Sequence, residues 1–148
     1  MNKSWQNKFI NLAEYISEWS KDPSAKIGCV AVDPITNNIL STGYNGFPSG
    51  LEDTYERLNN REEKYKFIVH AETNCIYNAT KNGINLKGSY FFIYGLCICH
   101  ECAKALVQVG VEVIYYKPSF HECNNRWNTS NDLASSILNE CGIKLIKL

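Results

Sequence analysis

The chain has 148 residues, 45% of them hydrophobic, which is one domain's worth and enough to bury a substantial core. Its 15 basic and 15 acidic side chains cancel, so no general field collects a polyanion, and polynucleotide binding is not expected. No stretch approaches the ~18 apolar residues of a membrane span, and the polar N-terminus lacks a signal-peptide core. The seven cysteines show no regular disulfide spacing, so mostly reduced thiols and a cytoplasmic location are expected.

In chain order, Trp5, Phe9, Leu12, Ile16 and Trp19 recur at helical spacing. They predict an amphipathic helix over the first ~17 residues, with an aromatic stripe packed on a sheet. Ile27 to Val32 and Ile39 to Gly43 read as strands, joined through Asp33-Pro-Ile-Thr-Asn-Asn38, a connector suited to a hairpin. Residues 48–66 carry charges of mixed sign, including Arg57, Arg61, Glu62, Glu63 and Lys64, and read as a solvated surface connector, with a pocket wall as the alternative.

A helix from about Ala71 to Asn82 stops at Gly83, Tyr90 to Tyr94 forms a buried strand, and a helix from Cys99 ends near Gly110. Val111 to Tyr116 is the next strand. The stretch from Lys117 to Thr129, with His121, Cys123, Arg126 and Trp127, is irregular and a second candidate pocket wall; its lone His-x-Cys has no matching ligand pair nearby. A helix from Asn131 to Cys141, stopped by Gly142, leads to a last strand, Ile143 to Ile146. Strand, helix, strand, helix, strand implies right-handed crossovers with parallel pairing. The predicted fold is a three-layer α/β/α sandwich with an initial antiparallel hairpin and a mixed five-stranded sheet, one domain over residues 1–148.

Chemistry concentrates in two segments. Phe67-Ile-Val-His70-Ala71-Glu72 is followed, twenty-nine residues after the histidine, by Cys99-His-Glu-Cys102. One imidazole and two thiolates make a three-ligand set, and catalytic zinc sites keep three protein ligands with the fourth position open, whereas structural sites close with four. Glu72 stands two residues from the first ligand, placed to move protons without binding the metal. Either half alone has an ordinary explanation, a satisfied histidine or a redox Cys-x-x-Cys. Together they form the His-x-Glu and Cys-x-x-Cys signature of zinc-dependent base deaminases.

Three further segments extend the match: Ser20-Lys-Asp-Pro-Ser-Ala-Lys-Ile-Gly28, Gly43-Tyr-Asn-Gly-Phe-Pro48 and Cys102-Ala-Lys-Ala-Leu-Val-Gln-Val-Gly110. Over nearly its whole length the chain resembles the cytidine and deoxycytidylate deaminase superfamily, and most closely the deoxycytidylate (dCMP) deaminases. One position departs: the proline usual before the first metal cysteine is Ile98 here, preceded by Cys97. Without its preset φ the turn is expected to loosen with no ligand lost.

The resemblance implies Zn²⁺ held by His70, Cys99 and Cys102, and hydrolysis of dCMP to dUMP and ammonia by attack of activated water on C4. Glu72 would protonate ring N3 and then shuttle a proton to the leaving amino group. Asn45 would bond the sugar, the Ala71 N–H the base carbonyl, and Ser20 and Lys21 are candidates to meet a 5′-phosphate. Relatives of this kind imply a homo-oligomer, with a hexamer favoured. A deaminase of another base, nucleoside or tRNA adenosine is an alternative, as is a non-catalytic zinc-stabilised module; neutral charge argues against tRNA, and Glu72 against the module.

Overall fold

The computed structural model describes residues 1–119 and 128–148. Helix α1, Lys3–Ser17, starts where the Asn2 side chain accepts from the Trp5 N–H at 3.0 Å, satisfying one of the amides that lack an intrahelical partner. It buries Phe9, Ile10, Ala13 and Ile16 against one face of the sheet. Trp19, expected in the same stripe, is 52% exposed. The helix ends at Ser17, so Trp19 leaves its register and meets Tyr15 and Tyr44 edge-on.

Strands β1, Gly28–Val32, and β2, Ile39–Tyr44, form the expected antiparallel hairpin. With β3, Tyr90–Gly95, β4, Val113–Pro118, and β5, Lys144–Lys147, they make one sheet in the order β2-β1-β3-β4-β5. β1 pairs antiparallel with β3, whereas β3, β4 and β5 run parallel. Helices α4, Ala71–Lys81, α5, His100–Gln108, and α6, Asn128–Glu140, pack on the face opposite α1. Alternation explains the layers: Cys29, Ala31, Phe91 and Ile93 point into the core under α4 and α5, while Val30, Val32 and Phe92 point toward α1.

The charged segment before the first metal motif corrects the sequence expectation, since it is no simple solvated connector. It carries two short helices, α2, Tyr55–Asn59, and α3, Arg61–Phe67. Thr54 and Asn60 cap them through their side chains, and Lys64 is buried. Of the second irregular stretch, Lys117 and Pro118 end β4, while His121, Cys123, Arg126 and Trp127 lie outside the described residues.

Close backbone packing fixes the start of α4. A Cβ on Gly43 would stand 2.3 Å from the Ala71 carbonyl oxygen and 2.4 Å from the Cys75 nitrogen, so the helix lies directly on β2. Asn74 and Asn78 donate to the edge carbonyls of Tyr44 and Thr42 at 2.8 and 2.9 Å, and Ser41 donates to the Cys75 carbonyl at 2.7 Å. An exchange between Gly46 and Val69 then leads the chain into α4. Gly43→Ala is therefore expected to cost about 1–3 kcal/mol, the usual penalty of overpacking a site that cannot yield. Thermal unfolding of the purified variant checks this, and an unchanged Tm contradicts it.

Candidate metal centre and its cavity

His70 is the N-cap of α4 and Cys99 the N-cap of α5, both with extended backbone angles, and Cys102 follows in the first turn of α5. His70 Nδ1 lies 3.3 Å from Cys99 Sγ and 3.4 Å from Cys102 Sγ. Among the described residues these three form the group able to hold a metal ion, with ligand atoms all within 4.8 Å of one another. A tetrahedral zinc with bonds of about 2.3 Å to sulfur and about 2.0 Å to nitrogen spaces its donors about 3.5–3.8 Å apart, so the triangle fits that ion after small adjustments.

Neighbouring groups hold the triangle in place. Cys99 Sγ accepts from the Cys102 N–H at 3.4 Å, and Thr73 Oγ1 lies 3.7 Å from Cys102 Sγ. Ile98, in the position of the usual proline, is buried in the apolar cluster, so packing holds the turn where a ring is missing. Cys97 is disulfide-bonded and presents no competing thiolate. His100, inside the motif, turns away: its Nδ1 is 2.8 Å from Ser130 Oγ on α6.

The three donors shift one another's pKa. Cys99 is lowered to about 4, first by its hydrogen bond with Cys102 and then by His70. His70 is pushed up to about 9 by its hydrogen bond to Cys99, against the opposing effect of burial. Cys102 is driven upward by sharing with Cys99 and by burial. Metal ligation requires the imidazole neutral and the thiols deprotonated. Glu72, in the first turn of α4, is 5% exposed, and burial raises its carboxyl above the ordinary range while His70 opposes the shift.

A cavity of about 820 Å³ opens over this group. His70, Glu72 and Cys99 line one part of it, the Asp22–Ala25 turn and Asn45 another, and Leu58, Arg61, Lys64 and Tyr65 of α2 and α3 a third. Asn45 is buried, accepting from the Ile27 N–H at 2.8 Å and donating to the Ala25 carbonyl at 2.8 Å and to Asp22 at 3.4 Å. Ala71 is fully buried at the first position of α4, between two residues that face the cavity. Its N–H is one of the amides that an α-helix leaves without an internal acceptor.

Ser20 and Lys21 are not brought to the cavity wall. Ser20 is buried and donates to the Asn45 carbonyl at 2.7 Å, while Lys21 pairs with Asp53 at 2.6 Å on the surface. The cations among the described residues that line the cavity are Arg61 and Lys64. Asp22 and Lys64 form an ion pair at 2.8 Å, each side chain only 6% exposed. Burial opposes ionisation of Asp22, but the hydrogen bonds from Lys64 and Ser24 outweigh it and hold its pKa below the ordinary value. Asn131 of α6 also lines the cavity, and its Nδ2 is buried without a hydrogen-bond partner among the described residues. Sequence spacing has no signal for these contacts, because each joins segments that the fold alone brings together.

The comparisons agree with this geometry. The family described as the cytidine and deoxycytidylate deaminase zinc-binding region matches residues 3–117. An uncharacterised deaminase from the luxG 3′ region of Aliivibrio fischeri is 30% identical over 145 residues, spanning 98% of this chain and 94% of its own. Deoxycytidylate deaminase of Homo sapiens is 36% identical over 124 residues, spanning 80% of this chain and 67% of its own. The crystal structure of dCMP deaminase from cyanophage S-TIM5, in complex with dCMP and dUMP, superimposes with a TM-score of 0.78 at 25% identity, covering 100% of this chain and 99% of that one. With the His/Cys/Cys triangle, the buried carboxyl and the helix–sheet–helix layering in place, this chain belongs to the cytidine and deoxycytidylate deaminase family.

Proposed function

We propose that the protein is a zinc-dependent hydrolase that converts dCMP and water to dUMP and ammonia. The observation that carries the reading is the three-donor triangle at two helix N-termini, with a buried carboxyl facing the same cavity and not belonging to the triangle. Its substrate is supported by likeness to the human deoxycytidylate deaminase and to the phage enzyme whose structure holds dCMP and dUMP. A cavity of about 820 Å³ also suits a mononucleotide, within the ~300–1,000 Å³ usual for small-molecule sites. No helix among the described residues is long and apolar enough to cross a membrane.

His70, Cys99 and Cys102 hold the ion, and zinc when bound supplies Lewis acidity that brings the pKa of water toward neutrality. Glu72 moves the protons. Its carboxylate takes one from the attacking water and the resulting acid delivers it to ring N3, so that C4 becomes more electrophilic; the second, from the hydroxyl now on C4, passes through Glu72 to the exocyclic nitrogen, and the C4–N bond breaks to release ammonia. Burial raises the carboxyl above its ordinary value, the direction that favours a group relaying protons. The Ala71 N–H holds the base carbonyl, and the second lone pair on Asn45 Oδ1 accepts from a sugar hydroxyl. Arg61 is the cation placed to meet the phosphate, the role that Ser20 and Lys21 were candidates for.

Assembly as a homo-oligomer, with a hexamer favoured, belongs to the same proposal. The exposed aromatic group of Tyr15, Trp19 and Tyr44 offers apolar surface for such an interface.

Three outcomes are expected of this reading. Cys102→Ala loses zinc and activity together, whereas Cys97→Ala keeps one zinc per chain; metal analysis of both purified variants checks the ligand set. Glu72→Gln keeps zinc and the fold but loses at least ~10²-fold in turnover, the lower range for a positioned acid–base group; a rate near wild type removes Glu72 from the mechanism. Two charge-assisted contacts to a phosphate, at about 1.5–3 kcal/mol each, give dCMP at least ~100-fold higher catalytic efficiency than deoxycytidine. Initial rates of ammonia release at low, equal concentrations test that preference, and equal rates contradict it.

A further inference from the structure

We propose that Lys64 is a positioning residue for substrate binding, acting through its buried ion pair with Asp22 to fix the Asp22–Ala25 turn as a wall of the cavity. The kinetic part of its test rests on the dCMP reading; the structural part does not.

Lys64 is the buried residue of α3, and α2 buries none. A short surface helix normally docks through an apolar stripe, so a buried ammonium at that position is unusual. Breaking such a pair leaves an uncompensated buried charge, yet an intact pair adds little stability over apolar packing. What the pair adds here is the order of a polar turn. Asp22 Oδ1 accepts from Lys64 Nζ, the Ser24 N–H and the Ser24 hydroxyl, each at 2.8 Å, and from the Ala25 N–H at 3.4 Å. Lys64 Nζ also donates to Ser24 Oγ.

The network continues to the proposed sugar contact, because Asn45 Nδ2 reaches Asp22 Oδ2 at 3.4 Å and the Ala25 carbonyl at 2.8 Å. All five members, Asp22, Ser24, Ala25, Asn45 and Lys64, line the cavity. One charge on α3 thus orients groups that face a ligand from two other segments, and none of them belongs to the metal triangle or the proton path.

The test compares wild type with Lys64→Met, which keeps much of the length and removes the charge, and with the double variant Asp22→Asn/Lys64→Met, which leaves no unpaired buried charge. Zinc content should stay at one per chain. KM for dCMP should rise about tenfold or more with kcat within about threefold of wild type. The double variant should raise KM no further than Lys64→Met alone, because both changes break the same link. Without substrate, the Ser24 and Ala25 amides should exchange hydrogen faster in Lys64→Met than in wild type. Unchanged exchange overturns the inference whether or not KM rises, as does a fall in kcat and zinc content with KM unmoved. If Lys64→Met fails to fold, the same two readouts on the double variant decide. If wild type does not turn over dCMP, the substrate reading fails, and amide exchange still decides the role of Lys64.

Discussion

Two helix N-termini pressed onto one sheet are the constraint on which the rest depends. β2 accepts α4 at backbone contact because position 43 has no side chain, and the end of β3 delivers Cys99 as the N-cap of α5. Both first turns therefore open toward the same cavity, and one imidazole and two thiols meet without any long-range flexible segment. The positive ends of two macrodipoles favour the thiolate that a metal requires. A small displacement of either helix would separate donors whose spacing leaves little slack.

The electrostatics follow from that convergence. The three donors perturb one another, with Cys99 depressed by Cys102 and His70. Metal ligation requires these donors in their deprotonated forms, so affinity for a cation rises with pH. Glu72 is close enough to be affected by His70 and Cys99, yet its elevation comes mainly from burial. Its position on the first turn of α4, one residue past the fully buried Ala71, leaves it on the cavity side.

Much of this was legible in the sequence. Alternating hydrophobic runs and helix-stopping glycines specified the sheet and its crossovers, and the His-x-Glu and Cys-x-x-Cys spacing marked the residues that converge, because those signals are local. What was not legible depends on contacts between distant segments. Lys64 looks like any lysine in a charged run until Asp22, 42 residues earlier, is folded against it. Lys21, a candidate for the phosphate from its place in the sequence, pairs with Asp53 on the surface. Trp19 extended a helical stripe that the chain abandons two residues earlier. Ile98, where proline is usual, is buried in the apolar cluster.

The central claim, an open zinc site with three protein donors at two helix N-termini, is tested most directly by zinc X-ray absorption spectroscopy on the purified protein. The account predicts two sulfur neighbours at about 2.3 Å, one imidazole nitrogen at about 2.0 Å and one further oxygen neighbour. A third sulfur in the coordination sphere, or a zinc bound without imidazole, would contradict it.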